Sequence, residues 1–176
     1  MITKEEEKLI YDLILNKLDE EQFYQAYPID LEKNKEYFWN ELNNSITEND
    51  SEKTEMYFDI IEYLYDDELS EIKLTALYKK AILKNFSYHL IERLVDSLEK
   101  TPSAIKYFVH VLTQNYLENQ SKENTETFMV PIWNKCLWAL SKIDTDETRK
   151  IISEYKSSEY TDINDTVNKL KSKMIK

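Results

Sequence analysis

Four carboxylates recur along the segment 51–66 with a spacing that places them on one face of a helix. Glu55, Asp59, Glu62 and Asp66 stand at positions i, i+4, i+7 and i+11, and residues at such separations lie one above another on a helical surface. A carboxylate can accept two hydrogen bonds from one guanidinium group, so carboxylates are strong partners of arginine and lysine. This stripe predicts a surface that binds basic side chains, although a solvated helix face would carry the same pattern.

Tyrosines and further carboxylates flank the stripe. Tyrosine supplies a large contact area at a small cost in side-chain entropy, and it is enriched where proteins bind one another. Negative charges spaced along a helix can also take the place of nucleic-acid phosphates on a basic surface. We therefore predict a partner-binding surface made of Glu55, Asp59, Glu62, Tyr63, Tyr65, Asp66, Asp67 and Glu68.

Residue types that support catalysis or metal binding are scarce. The two histidines, His89 and His110, belong to no Glu-x-x-His or His-Glu-x-x-His motif. Cys136 lies between Trp133 and Trp138 on an apolar segment, which predicts a buried thiol with no base to activate it. We predict no catalytic, cofactor-binding or metal-binding residues and a protein that is not an enzyme. A carboxylate-dependent hydrolase in an all-helical fold is the alternative.

The chain has no glycine among its 176 residues. Glycine is needed for a glycine-rich phosphate loop, a dinucleotide-binding fingerprint and a nucleophile elbow, so these sites are excluded. Glycine also favours the tight turns of β-hairpins. Its absence therefore indicates a helical fold as well as a function outside most nucleotide-using enzymes.

Charge is distributed unevenly along the chain, whose net charge is −11. Residues 1–70 contain 20 Asp and Glu against 6 Lys, and residues 71–176 contain 14 against 17 Lys and Arg. Negative potential repels nucleic acid and anionic membranes, and it attracts basic protein surfaces. We predict a basic protein partner, with neither nucleic acid nor membrane bound. Solubility alone is the simpler explanation of the acidic charge.

Composition favours a cytoplasmic protein. No apolar run approaches the roughly 20 residues of a membrane span, and the first residues include Glu5, Glu6 and Glu7, unlike a signal peptide. The only cysteine, Cys136, cannot form a disulfide within the chain, which suits a reducing compartment. The richness in Lys, Asn, Ile, Glu and Tyr is typical of an AT-rich bacterial coding sequence.

Apolar residues recur with the helical period throughout the chain. This predicts an all-α fold with eight or nine helices and one short helical turn. Two local signals define helix starts, namely the capping box of Thr3 with Glu6 and the Thr101-Pro102 pair. The predicted helices and the turn are 3–18, 20–26, 31–46, 51–65, 69–84, 87–99, 102–117, 128–143, 145–156 and 163–173.

Three finer predictions follow from the same pattern. In the helix at 69–84, the inward residues are predicted to be Ile72, Leu77, Ala81 and Ile82. Asn85 is expected to adopt the left-handed conformation that often ends a helix. The polar stretch 119–127 is expected to be a loop.

The stretch 137–155, LWALSKIDTDETRKIISEY, resembles a HEAT-like repeat, because a helix ending in Ala-Leu-x-x-Ile is followed by an acidic turn and a second apolar-faced helix. The stretch 89–98, HLIERLVDSL, resembles the second helix of an earlier pair. The resemblance implies stacked antiparallel helix hairpins, an α-solenoid formed by one domain over 1–176.

Small acidic HEAT-like proteins of bacteria are commonly immunity proteins of polymorphic toxin systems. The resemblance thus implies a protein that binds a basic cognate toxin domain, often a nuclease, and blocks it by covering its active site. The alternative is a general protein-binding scaffold or adaptor without enzymatic activity.

Overall fold

A computed structural model describes residues 2–65, 67–84, 86–99, 101–113, 122–156 and 158–174. These residues form an all-helical fold without strands, which confirms the predicted all-α class. In this described part of the chain, ten α-helices have seven residues or more, and α8 is a single turn. The helices are α1 (Lys4–Ile14), α2 (Glu20–Ala26), α3 (Tyr37–Glu48), α4 (Ser51–Leu64), α5 (Glu68–Ala81), α6 (Tyr88–Ser97), α7 (Ile105–Thr113), α8 (Lys122–Asn124), α9 (Val130–Ile143), α10 (Asp146–Glu154) and α11 (Thr161–Met174).

The chain divides into two compact units, an N-terminal unit, Met1–Leu74, and a C-terminal unit, Thr75–Lys176. The N-terminal unit contains 21 Asp and Glu against 7 Lys, a net charge of −14, and the C-terminal unit has a net charge of +3. The change in charge along the sequence therefore coincides with the boundary between the units. The organisation of 1–176 as one helical-repeat domain stays a prediction.

Aromatic packing holds the N-terminal unit together. Helix α4 packs against α1 and α3, and α2 packs against α1. At the centre lies Phe38, fully buried, with ring centroids at 6.5 Å from Phe23, 5.5 Å from Tyr27, 5.3 Å from Tyr37 and 6.3 Å from Tyr57. Aromatic pairs at such separations add to the stabilisation that burial of the rings already provides.

Two buried tyrosines near this centre differ in their hydrogen bonding. The Tyr57 hydroxyl donates to Glu41 Oε2 at 3.3 Å. The Tyr27 hydroxyl is also buried and lies near Glu6 and Tyr37, yet among the described residues it has no hydrogen-bond partner of acceptable geometry. Burial raises the pKa of both tyrosines, so both hydroxyls stay neutral. A buried hydroxyl without a partner loses its hydration and gains nothing in return.

We expect Tyr27→Phe and Tyr57→Phe to shift stability in opposite directions. Tyr27→Phe removes an unsatisfied hydroxyl and should raise the free energy of unfolding by about 1 kcal/mol. Tyr57→Phe removes a bonded one and should lower it by about 1 kcal/mol. Urea unfolding of both variants, followed by circular dichroism, measures the two changes. A loss of stability in Tyr27→Phe would show that this hydroxyl has a partner after all.

Helix α9 is the central element of the C-terminal unit and packs against α6, α7, α10 and α11. Its buried side includes Cys136, Leu137 and Leu140, each fully buried. Outside the core, the Lys135 ammonium pairs with Glu92 at 2.8 Å and Asp96 at 2.6 Å, both on α6. This unit is thus organised around one helix, and the stacking of successive hairpins into a solenoid stays a prediction.

Most local helix signals are confirmed. Thr3 and Glu6 form the predicted capping box, and α2 spans the residues 20–26. Pro102 lies in the first turn of a short 3₁₀ helix that leads into α7. Helix α1 ends at Ile14, four residues earlier than predicted, and Asn16 follows with a φ of 55°. The predicted cap at Asn85 and the end of the helix predicted at 102–117 lie outside the described residues.

Left-handed backbone occurs at residues other than glycine. Within the described residues, Asn16, Asn49 and Asp144 have φ values of 55°, 61° and 51°. Asn49 ends α3 and Asp144 ends α9 in this conformation. Asparagine and aspartate tolerate it better than other residues with a Cβ atom, which explains how a chain without glycine ends these helices.

Two of the finer predictions are wrong. Ile72 is 60% exposed, because the buried side of α5 runs through Leu74, Tyr78 and Ala81. A separation of two residues turns a helix by about 200°, so Ile72 lies opposite that side. Of the predicted loop 119–127, residues 122–127 are helical, since α8 is followed by a π-helical turn, Thr125–Met129, in which Thr125 and Met129 are buried. Residues 119–121 lie outside the described residues.

Candidate protein-binding surface

Helix α4 separates apolar from acidic side chains. It begins at a cap in which Asp50 Oδ1 accepts a hydrogen bond from the Lys53 backbone N–H at 3.1 Å. Tyr57, Ile60 and Ile61 are buried at 1% exposure or less and fix one side of the helix against the core of the N-terminal unit. This anchoring turns the other side of the helix outward.

The outward side of α4 carries the stripe that the sequence predicts. Glu62 is exposed, and Glu55 and Asp59 are half-buried because a neighbouring helix lies beside them. Glu52, one turn before Glu55, is exposed and extends the stripe toward the beginning of the helix. The structure therefore places three predicted residues on one face, and it adds a fourth that the prediction omitted.

A tyrosine from α1 lies among these carboxylates. Tyr11 is 40% exposed, and its pKa is raised by partial burial and then by the charges of Glu7, Glu52, Asp59 and Glu55. The carboxylates are thus close enough to oppose a phenolate. We call this group of five residues the Tyr11 surface.

The Tyr11 surface offers two complementary groups to a basic side chain. Carboxylates accept hydrogen bonds from a guanidinium or an ammonium group, and the tyrosine ring can lie against the same cation. Four carboxylates around one partly exposed ring repel one another in the unbound protein. A cation bound there would relieve that repulsion as well as form new hydrogen bonds.

A cleft of about 630 Å³ adjoins the end of α4. Tyr63, 38% exposed, lines it together with residues 16–22, the connection from α1 to α2. Asp19 begins α2 as an N-cap, with its side chain accepting from the Gln22 backbone N–H at 2.8 Å. Glu20 and Glu21 follow in the first turn and give the cleft an acidic wall.

A second cleft, of about 740 Å³, lies along the same short helix. Glu20 and Glu21 line both clefts, and Asp30 and Glu32 add two more carboxylates to the second. Tyr24 supplies an aromatic wall. The N-terminal unit therefore presents carboxylates and tyrosines on α1, α2 and α4, rather than on α4 alone.

The predicted residue Tyr65 packs against other residues of the N-terminal unit. Its ring centroid is 5.7 Å from that of Trp39, and its hydroxyl donates to the backbone oxygen of Lys35 at 3.4 Å. Burial, with smaller contributions from Tyr24 and Glu36, raises its pKa to about 12. Its half-buried ring leaves only part of the side chain for a partner.

The predicted residues after α4 have a structural role at the start of α5. Asp67 Oδ1 accepts a hydrogen bond from the Ser70 backbone N–H at 2.7 Å, and this bond lowers the pKa of the Asp67 carboxyl. Glu68 is exposed in the first turn, where its charge complements the positive end of the helix. Asp66 lies outside the described residues. A role of Asp67 and Glu68 in partner binding stays a prediction.

Cys136 is fully buried in the C-terminal unit, and burial raises the pKa of its thiol far above the usual range. The described residues hold no cluster of three or more His, Cys, Asp or Glu side chains with a geometry for a metal ion. None of the described helices is both long and apolar enough to cross a bilayer. The acidic, tyrosine-containing surface remains the candidate site.

Comparisons with protein-family models, with curated proteins and with solved structures find no significant match to this chain.

Proposed function

We propose that this chain is an immunity-type protein whose N-terminal unit binds a basic toxin domain and blocks its active site. The observation that carries the proposal is the Tyr11 surface, which concentrates four carboxylates around a partly exposed tyrosine. It lies in a unit of net charge −14, so both the local groups and the overall field favour a basic partner.

Binding would use the acidic surface in two stages. The negative field of the N-terminal unit speeds the encounter with a positively charged protein, and this effect weakens as salt is added. In the bound state, arginine and lysine side chains pair with carboxylates of the Tyr11 surface and enter the neighbouring clefts. Tyr11 and Tyr63 supply the contact area that long-range charge does not provide.

The same contacts between carboxylates and basic side chains would block a nuclease. The substrate groove of such an enzyme binds phosphates through basic side chains, and a surface of spaced carboxylates can occupy the same side chains. The choice of a toxin domain as the partner, and of the cytoplasm as the place of action, rests on the resemblance to small acidic HEAT-like proteins.

Affinity capture followed by a toxicity assay tests the proposal. The chain is immobilised and exposed to lysate of its source cell at about 50 mM and at about 200 mM salt. We expect one basic protein to be retained at both concentrations, with less retained at high salt. Expressed alone in a heterologous host, that protein should arrest growth, and co-expression of this chain should restore it.

The toxicity assay distinguishes an immunity protein from an adaptor. A retained protein that is harmless when expressed alone would favour an adaptor and would contradict the immunity proposal. Retention of no basic protein at either salt concentration would contradict the binding proposal itself. Toxicity that co-expression leaves unchanged would show that binding does not block the toxin.

A further inference from the structure

The C-terminal unit contains a cleft of about 590 Å³ whose walls are mainly apolar and aromatic. Its volume falls in the range of small-molecule sites, roughly 300–1,000 Å³. Helices α7, α9 and α10 and the connection from α10 to α11 contribute to it. Three aromatic side chains line the cleft, namely Trp133, Tyr155 and Tyr160.

The indole of Trp133 is held in place by its own hydrogen bond. Its Nε1–H donates to the backbone oxygen of Val111 at 3.1 Å, which uses the only polar group of the side chain. The ring centroid of Tyr160 lies 5.9 Å away, with the two planes at 44°. The two rings thus form an angled pair of π faces at the cleft.

Hydrogen bonds also hold residues 158–164, the segment that carries Tyr160. Asn164 accepts a hydrogen bond from the Ser158 backbone N–H at 2.8 Å and donates one to the Ser158 backbone oxygen at 2.7 Å. The Tyr160 backbone N–H donates to Ser158 Oγ at 3.1 Å. These bonds position the aromatic wall before any ligand arrives, so binding there would cost little ordering.

The other two tryptophans of the chain have lysine ammonium groups over their rings. Lys73 Nζ is 5.2 Å from the ring of Trp39, and Lys169 and Lys173 are 5.5 and 4.7 Å from the ring of Trp138. Within the described part of the chain, no lysine or arginine lies over Trp133 in this way. Among the three tryptophans, Trp133 is thus the one whose ring has no such partner in the described part of the chain.

Charge at the cleft favours a bound cation. Glu154 and Glu159 line it with exposed carboxylates, against the single ammonium of Lys156. The cleft is therefore locally negative within a unit whose net charge is +3. Aromatic faces next to carboxylates are the combination that binds quaternary ammonium groups, because the ring faces attract the cation while its methyl groups are buried.

We propose that this cleft binds a small alkylammonium cation of the size of choline, with the cation against Trp133 and Tyr160. The site is separate from the acidic surface of the N-terminal unit and does not depend on the function proposed for that surface. Its ligand is defined by charge and by methyl groups, rather than by hydrogen-bonding groups.

Titration with choline and with its uncharged carbon isostere, 3,3-dimethylbutan-1-ol, tests the proposal. The full chain labelled with ¹⁵N is titrated while the three indole N–H signals are followed by NMR. We expect choline to shift the Trp133 signal and to bind at least fivefold more tightly than the isostere, since the two differ in charge but hardly in shape. Equal affinity for the two compounds would overturn the proposal.

Substitutions distinguish choline binding in this cleft from general effects on the fold. Trp133→Leu should abolish the choline response, whereas Trp138→Leu, in the same unit, should retain it. The double variant Glu154→Gln/Glu159→Gln changes only exposed side chains and should weaken choline binding severalfold, with little change for the isostere. Choline binding that survives in Trp133→Leu, or that is unaffected by the double variant, would show that the cation does not bind in this cleft.

Discussion

Replacing Phe38 with alanine should lower the free energy of unfolding of the N-terminal unit by about 3–5 kcal/mol. Phe38 is fully buried and contacts four other aromatic rings, so its removal leaves a cavity that those rings cannot close. Native-state hydrogen exchange of the α3 and α4 amides measures the change in the unit that contains the substitution.

The matched control is Phe38→Leu, which keeps most of the apolar volume. We expect it to cost roughly half as much as Phe38→Ala or less, because a smaller cavity forms. A cost below about 1 kcal/mol for Phe38→Ala would mean that the aromatic cluster is not the centre of the unit. Loss of exchange protection confined to α3 and α4, with α9 unchanged, would show that the C-terminal unit is stable by itself.

Reversing two charges of the Tyr11 surface should weaken binding of the basic partner by one to two orders of magnitude. In Glu55→Lys/Asp59→Lys, two attractive contacts become repulsive at positions that lie on the outer side of α4. Most of the lost affinity should appear at low salt, where the carboxylates contribute most. Titration calorimetry with the captured partner at two salt concentrations measures both effects.

The control variant changes the net charge of the chain by the same amount, at positions outside the Tyr11 surface. Glu48→Lys/Asp165→Lys reverses two exposed carboxylates outside the Tyr11 surface, so it reports the general effect of charge on association. We expect less than a threefold change in affinity. Similar losses in the two double variants would mean that the net charge, rather than the Tyr11 surface, determines binding.

The same substitutions should leave the protein folded, which distinguishes a binding site from a structural one. The carboxylates around the neutral Tyr11 phenol repel one another in the unbound protein, so replacing two of them relieves that repulsion. Because Glu55 and Asp59 are half-buried, we expect the free energy of unfolding to change by no more than about 1 kcal/mol, the typical effect of a substitution. The raised pKa of Tyr11 should fall toward its usual value, which ultraviolet titration of the phenol measures.

The helical fold could be predicted from the sequence because its signals are local. The capping box at Thr3, the helix start at Thr101-Pro102 and the apolar period of α4 each act within a few residues. The Tyr11 surface could be predicted only in part. Nothing in the sequence shows that α1 lies beside α4, so Tyr11 and Glu7 could not be assigned to the stripe.

The error at Ile72 has a related cause. Apolar residues recur on more than one side of α5, and the choice between them is made by packing with other elements. The structure buries Leu74, Tyr78 and Ala81, which leaves Ile72 exposed. Tyr65 and Asp67 are assigned to the binding surface from their residue types alone. In the structure, the Tyr65 hydroxyl bonds to the backbone oxygen of Lys35 and the Asp67 carboxylate caps α5.

The left-handed backbone conformations of Asn16, Asn49 and Asp144 have a consequence for the unfolded chain. Each of these positions stores backbone strain of about 1 kcal/mol that glycine would avoid. Glycine would, however, widen the range of conformations open to the chain before it folds, at a cost of about 0.4–1 kcal/mol per position relative to alanine. The unfolded state of a protein without glycine has fewer accessible conformations along the whole chain. In the native state, the same protein carries backbone strain at its left-handed positions. The smaller conformational entropy of the unfolded chain matters most in a unit as small as Met1–Leu74, where the buried core is limited.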